Sequence, residues 1–354
     1  MDYLVEESDF TNSRAHLSIL DWLRQFPDDD HRLLKDTIFT IILPDAIKGG
    51  KLLEISRRCI DEGYIPILTK VIMKSPERKF EELYKFNIAN NIGEYCAEID
   101  RGGMWWLNRR AYSTCPVVAM VLRKVSRILV TPHTDFRKLK GVASPYAAQP
   151  GQLRHDFEAV NRSLSLMHSS DEPLSTVREL RIFAGDAAFG DLVVRARQAQ
   201  TQSGLQSLCR ECMFELQRSE AALRIFREQT DFLKILNGIK LRVLADSGGH
   251  KLRGSSLLQR EMEIVNTEEA LAQRTRNFIK LARKSTASLS GLAGTDALSR
   301  CFALLSEPEA FSADVARDIT HLLQAIEIPF TEWEEIVLLT SMHHWKETGM
   351  LFSS

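Results

Sequence analysis

The sequence predicts an α+β domain followed by an all-helical one. Between residues 36 and 184, short apolar stretches rich in β-branched residues alternate with stretches of helical spacing. After Gly185 the β-branched stretches cease, and apolar residues recur at helical intervals. The length agrees: 354 residues, 44% hydrophobic and 26% charged, suit about two ordinary globular domains.

Residues 1–35 read as an N-terminal helical appendage. Leu17, Leu20 and Leu23, with Trp22, make one short amphipathic segment that Pro27-Asp28-Asp29-Asp30 ends. Thr37–Leu43 is apolar and β-branched throughout, as a central, doubly buried strand requires. Pro44-Asp45 turns the chain, and Leu52, Ile55, Cys59 and Ile60 mark a helix ending at Gly63. Tyr64–Met73 reads as a second strand, Pro76 opens a helix carrying Phe80, Leu83 and Tyr84, and Cys115–Leu122 reads as a third strand. Leu164–His168 reads as the fourth, followed by a helix start at Ser170-Asp171-Glu172-Pro173. This order is the ferredoxin-like split βαβ pattern, expected to have its sheet covered on one face by helices.

Gly185–Gly190 reads as a linker into an all-helical domain over 185–354. There Leu205, Leu208, Cys212, Leu216, Leu223 and Phe226 hold helical spacing up to Gly248-Gly249. Asn266 with Glu269 and Thr331 with Glu334 read as capping boxes, the first followed by Leu271, Phe278 and Leu281. Val315, Ile319, Leu322, Leu323 and Ile326 form one stripe, and Trp333, Ile336 and Trp345 another. Such stripes are first of all core. The basic run Arg274–Lys284 reads as a solvated helix face, and His343-His344 as a pair on different faces that suits no metal.

Composition excludes several classes of function. A net charge of −1 gives no whole-chain attraction to nucleic acid. No run approaches the ~18 apolar residues of a transmembrane helix, so no membrane partner is expected. Met1–Arg14 lacks the pattern of a signal peptide. Six scattered cysteines fit reduced thiols in a cytoplasmic protein, and Cys209-x-x-Cys212 fits helix thiols rather than zinc.

The chemistry concentrates between Asn161 and Glu179. His168 stands at a strand exit, and Glu179, on the following helix, stands eleven residues later, within reach of it. A carboxylate on one imidazole nitrogen fixes the tautomer and frees the other as base, ligand or nucleophile. A lone histidine at a strand end is more often a structural hydrogen-bonding residue. Upstream lie Leu43-Pro44-Asp45, Tyr84, Pro116–Val121, Arg137-Lys-Leu-Lys-Gly141, Pro145 and Gln149–Phe157, and the series closes on His168-Ser-Ser-Asp171. In order and type it resembles the nucleoside diphosphate kinase family over roughly residues 36–184.

The resemblance implies γ-phosphoryl transfer from a nucleoside triphosphate, through a phosphohistidine at His168, to a nucleotide or related acceptor. Glu179 matches the glutamate that orients the histidine, and Ser170 the serine beside it. Arg137, Arg154, Tyr84, Asp171 and Pro145 match nucleotide- or phosphate-binding positions. The implied partners are nucleoside tri- and diphosphates carrying Mg²⁺ on their own oxygens, with no metal ligands from the protein, and a homo-oligomer is compatible. The sequence also departs from the family pattern. Leu43 stands where the family has a lysine, Ala143 where it has a threonine and Ser165 where it has an asparagine. Lys48 and Lys51, a helical turn or two from Leu43, are candidate substitutes for the lysine, Lys48 the first of them. Gly102-Gly103-Met104-Trp105-Trp106 lies in an insertion before the third strand. Two functions therefore stand side by side: a phosphotransferase using His168, and a nucleotide-binding sensor whose helical half is the effector.

Overall fold

The computed structural model describes residues 14–27, 30, 32–74, 76–90, 104–125, 130–246, 253–267, 273–281 and 297–348. The chain forms two compact units. The first gathers Met1–Val142, Gln149–Phe157 and Ser165–Arg227; the second gathers Ala143–Ala148, Glu158–Leu164 and Glu228–Ser354. Among the described residues, no helix is long and apolar enough to cross a membrane.

The first unit is built on a four-stranded antiparallel sheet of β1 (Thr37–Ile42), β2 (Tyr64–Ile72), β3 (Val117–Lys124) and β4 (Met167–Ser169). Its spatial order is β2-β3-β1-β4, that of a split βαβ fold. The helices of this unit are α1 (Arg14–Leu23), α2 (Pro44–Lys48), α3 (Leu52–Asp61), α4 (Pro76–Asn90), α5 (Met104–Ser113), α6 (Pro132–Lys140), α7 (Leu153–Asp156), α8 (Pro173–Ala184), α9 (Ala187–Gln198) and α10 (Gln202–Leu223). The α+β architecture is thus as the sequence predicts. β3 starts two residues later than expected, after Pro116, which has no N–H to give a ladder.

All six residues of β1 are buried. Phe39 and Ile41, with Ala119 and Val121 of β3, pack in one cluster with Phe80, Tyr112, Leu174, Val177 and Phe183. The opposite face, with Ile38, Ile42, Val118 and Met120, is buried as well. There Ser56 of α3 directs its hydroxyl to Met120 Sδ at 3.9 Å, and Phe136 of α6 packs edge-on to Tyr64. The expectation of a sheet covered on one face is therefore corrected. α3 and α6 cover one side, and helices packed by α4, α5 and α8 close the other.

The linker expected at Gly185–Gly190 is also corrected. Gly185, with a φ of 86°, caps α8, and the chain re-enters a helix at Ala187. Phe189 is fully buried and stands edge-on to Trp22 of α1 at 4.9 Å. Leu192, Leu205 and Leu208 join the same cluster, so α9 and α10 belong to the core of this unit. Cys209 and Cys212 lie on α10, and burial pushes both thiols up, Cys212 to about 12.

The second unit contains α11 (Phe232–Asp246), α12 (Arg253–Val265), α13 (Ala297–Leu305), α14 (Ala313–Ala325), α15 (Glu332–His343) and α16 (Trp345–Thr348). Residues 273–281 are helical too. Phe232, Phe311 and Trp345 pack with centroids 5.2–6.2 Å apart, and Trp333 is buried with its indole N–H on Gln229 O. Thr331 and Glu334 form the predicted capping box. Arg274 is not on a solvated face: it is buried and pairs with Glu158 at 2.9 Å and Asp231 at 3.1 Å. Asn161 donates to Thr340 and Ser341, and Ser163 shares a hydrogen bond with His344. The expectations for Asp28, Asp29, Gly102, Gly103, Gly248, Gly249, Glu269, Leu271, Arg283 and Lys284, and for the Leu17, Trp105 and Trp106 side chains, lie outside the described residues.

Candidate active site

His168 is the middle residue of β4 and pairs with Ile41 of β1. Its Nε2 lies 2.8 Å from Glu179 Oε2, with Glu179 buried on α8. A carboxylate only accepts, so Nε2 carries a proton, and in the neutral ring that tautomer has its lone pair on Nδ1. The imidazole side chain is 16% exposed. Tyr84 of α4 stands edge-on to it, centroids 6.0 Å apart, and Phe80 stacks behind Tyr84. Pro173 opens α8 just after β4, so the turn folds Glu179 back over the histidine.

The cations around β4 differ in their engagement. Arg137, on the last turn of α6, is exposed and reaches Asp171 through its carbonyl at 3.5 Å and its carboxylate at 3.6 Å. Arg154 of α7 is buried. It donates to Gly141 O, Ser165 O, Ser165 Oγ and Met167 O, which leaves one guanidinium N–H beyond those bonds. Lys140, three residues after Arg137 on α6, is buried and donates to Ser169 Oγ at 2.6 Å. Burial, then Arg154, pulls the Lys140 ammonium down to about 8, while Asp171 and Glu179 act the other way.

The framework under the histidine is polar and tightly bonded. Asp45 Oδ2 accepts the Leu166 N–H at 2.8 Å, and Leu43 N–H donates to Leu166 O at 2.9 Å. Leu166 adopts a φ of 70°, so the strand starts at Met167 rather than at Leu164. Ser170 gives its N–H to Phe39 O, accepts from Phe39 N–H, and shares a hydrogen bond with Thr176 at 2.8 Å. Thr176 also bonds His133, whose imidazole burial drives down to about 4. Leu43 is 2% exposed and packs in the apolar cluster. Lys48 is buried at the C-terminal end of α2, Lys51 donates to Phe157 O, and Pro145 is buried within the second unit.

The structure thus brings His168, Glu179, Tyr84, Ser170, Asp171, Arg137 and Arg154 together around β4. Sequence reasoning passed over Lys140, Asp45 and Thr176. Lys140 had a signal, its position one helical turn after Arg137 in the basic motif.

The sequence pattern of the family described as Nucleoside diphosphate kinase matches residues 36–189. The nucleoside diphosphate kinase of Deinococcus radiodurans is 30% identical over 148 residues, which are 42% of this chain and 94% of that protein. The chain belongs to the nucleoside diphosphate kinase family. The nucleoside diphosphate kinase of Moorella thermoacetica is 27% identical over 152 residues, 43% of this chain and 96% of its own. A crystal structure of the nucleoside diphosphate kinase from Encephalitozoon cuniculi aligns over 43% of this chain and 90% of that one, at 24% identity and a TM-score of 0.35. The nucleoside diphosphate kinase match ends at residue 189, inside α9.

Proposed function

We propose that this chain takes the γ-phosphoryl group of a nucleoside triphosphate onto His168 and passes it to a nucleotide or related acceptor. The observation that carries this reading is the 2.8 Å contact between His168 Nε2 and Glu179 Oε2 in a partly open site. Family membership supports it, since the relatives are named as nucleoside diphosphate kinases.

The Nδ1 lone pair attacks the γ-phosphorus in line, a P–N bond forms, and the bond to the β-phosphate bridging oxygen breaks. Nε2 keeps its proton throughout. Glu179 stabilises the positive charge that grows on the ring, an advantage larger in the transition state than in the resting site. In the second half, a terminal phosphate oxygen of the acceptor attacks the phosphorus and the P–N bond breaks. Tyr84 closes one side of the imidazole, and Arg137 offers phosphate oxygens an exposed guanidinium. The charged groups near His168 are mainly cations, which suits phosphate better than a bare divalent ion. Mg²⁺ accordingly belongs to the substrate, bound to nucleotide oxygens. Among the described residues, no cluster of three acidic, histidine or cysteine side chains suits a metal.

Exchange of phosphate between ATP and a second nucleoside diphosphate tests the proposal. Turnover is expected in the parent, none in His168→Ala, and about a 10- to 100-fold slower rate in Glu179→Gln. Equal turnover in His168→Ala and the parent contradicts it.

A further inference from the structure

Lys140 is a buried ammonium with an unusual set of neighbours. Among the described residues, its hydrogen-bond partner is a neutral hydroxyl, Ser169 Oγ at 2.6 Å, and it forms no ion pair with a carboxylate. A cation held out of water without a counter-charge is costly, and such groups collect where an anion is to be met. The partner matters as much as the burial, because Ser169 directly follows His168 in β4, its side chain on the face that α6 covers while the imidazole lies on the face of α8.

The charges that act on Lys140 divide evenly, two of each sign, and among the described residues neither of the two carboxylates is bonded to it. Arg137 acts on Lys140 from its own helix, and Arg154 from α7; both disfavour the ammonium. Asp171, in the turn after β4, and Glu179, on α8, favour it. Glu179 already receives the His168 N–H, and Asp171 receives Arg137. β4 is an edge strand whose ladder bonds run through Leu166, His168 and Ser170. The alternation of an antiparallel ladder turns the peptide groups of Met167 and Ser169 to the open edge. Arg154 takes the Met167 carbonyl there. Leu43, across from Leu166, brings an apolar side chain and no charge.

We infer that Lys140 is a positioning and charge-balancing residue for the phosphoryl group on His168. It anchors β4 beside the nucleophile through Ser169 and supplies, from the α6 face of the strand, a positive charge that a phosphate on His168 offsets through space. This rests on the phosphoryl-transfer reading of His168. A phosphate brought to the site replaces the missing counter-charge and holds the proton on Lys140. Without a phosphate, the ammonium loses its proton as pH rises through about 8, and the affinity for phosphate falls with it.

The test compares the full-length parent with Lys140→Met and Lys140→Arg from pH 6.5 to 9.5. It measures ATP affinity by calorimetry and kcat/KM for exchange, which follows the free enzyme. The parent is expected to lose affinity and kcat/KM above about pH 8. Lys140→Met is expected to bind ATP at least about tenfold more weakly at pH 7 and to lose that alkaline limb. Lys140→Arg keeps its charge and is expected to hold its plateau to pH 9.5. If Lys140→Met does not fold, the profile of Lys140→Arg decides. An alkaline limb that persists unchanged in Lys140→Arg, or parent-like ATP binding in Lys140→Met at every pH, overturns the inference. If the parent exchanges no phosphate but Lys140→Met still weakens ATP binding tenfold, the transfer reading falls and the charge role stands. If the parent binds no ATP, both fall.

Discussion

Asp45 shows how one side chain sets the geometry of the site from outside it. Its carboxylate is fully buried and takes the Leu166 N–H, two residues before His168. Burial pushes its pKa from the ordinary 3.8 to about 6, against the opposing effects of the Leu166 hydrogen bond and Lys51. The folded state therefore holds the proton more tightly than the unfolded chain. The stability this contributes is complete below 3.8 and is lost as pH rises through about 6. The gap between the two values corresponds to about 3 kcal/mol. Asp45→Asn keeps an acceptor for Leu166 and removes the titration. Denaturant unfolding of both proteins should show the parent losing about that much relative to the variant between pH 4 and pH 7. A difference independent of pH would contradict the argument. Of the residues at the site, His168 and Glu179 were legible in the sequence, because a strand exit followed by a Pro-started helix brings positions eleven apart together. For Lys140 the sequence shows only its place one turn after Arg137, because its contact with Ser169 depends on where α6 lies against β4.

Among the elements, β1 was legible almost to the residue. A strand buried on both faces needs an unbroken apolar, β-branched run, and Thr37–Ile42 is one. β4 was not, since its start depends on Asp45, which lies 121 positions away in the chain. The segment after Gly185 was misread because a glycine that caps one helix looks like one that begins a linker. Caps also show where an element is imperfectly matched to its sequence. α14 ends in a Schellman arrangement, with Ile328 N–H on Leu323 O and Glu327 N–H on Gln324 O. Exposed Glu327 occupies the left-handed position, at a φ of 56°. Glu327→Gly should raise stability by about 1 kcal/mol, read as a higher melting temperature. A lower one would mean that the glutamate makes a contact that outweighs the strain.

At the scale of the molecule, the family match and the folded unit have different limits. The match ends at residue 189, while α9 and α10 carry the same apolar core on to Leu208. A chain ending at residue 188 loses Phe189, Leu192, Leu205 and Leu208 from that core. It should melt without cooperativity, and a chain ending at Arg227 should be clearly the more stable in the same thermal scan. Equal melting curves would show that the two helices are dispensable. The proposed function rests on His168 acting as a nucleophile. The direct measurement is incubation of the full chain with γ-labelled ATP, followed by peptide mapping of the label. An acid-labile, base-stable phosphate is expected on His168, lost on adding a nucleoside diphosphate and never formed in His168→Ala. Label that forms equally well in His168→Ala, or that maps to another residue in the parent, would contradict it.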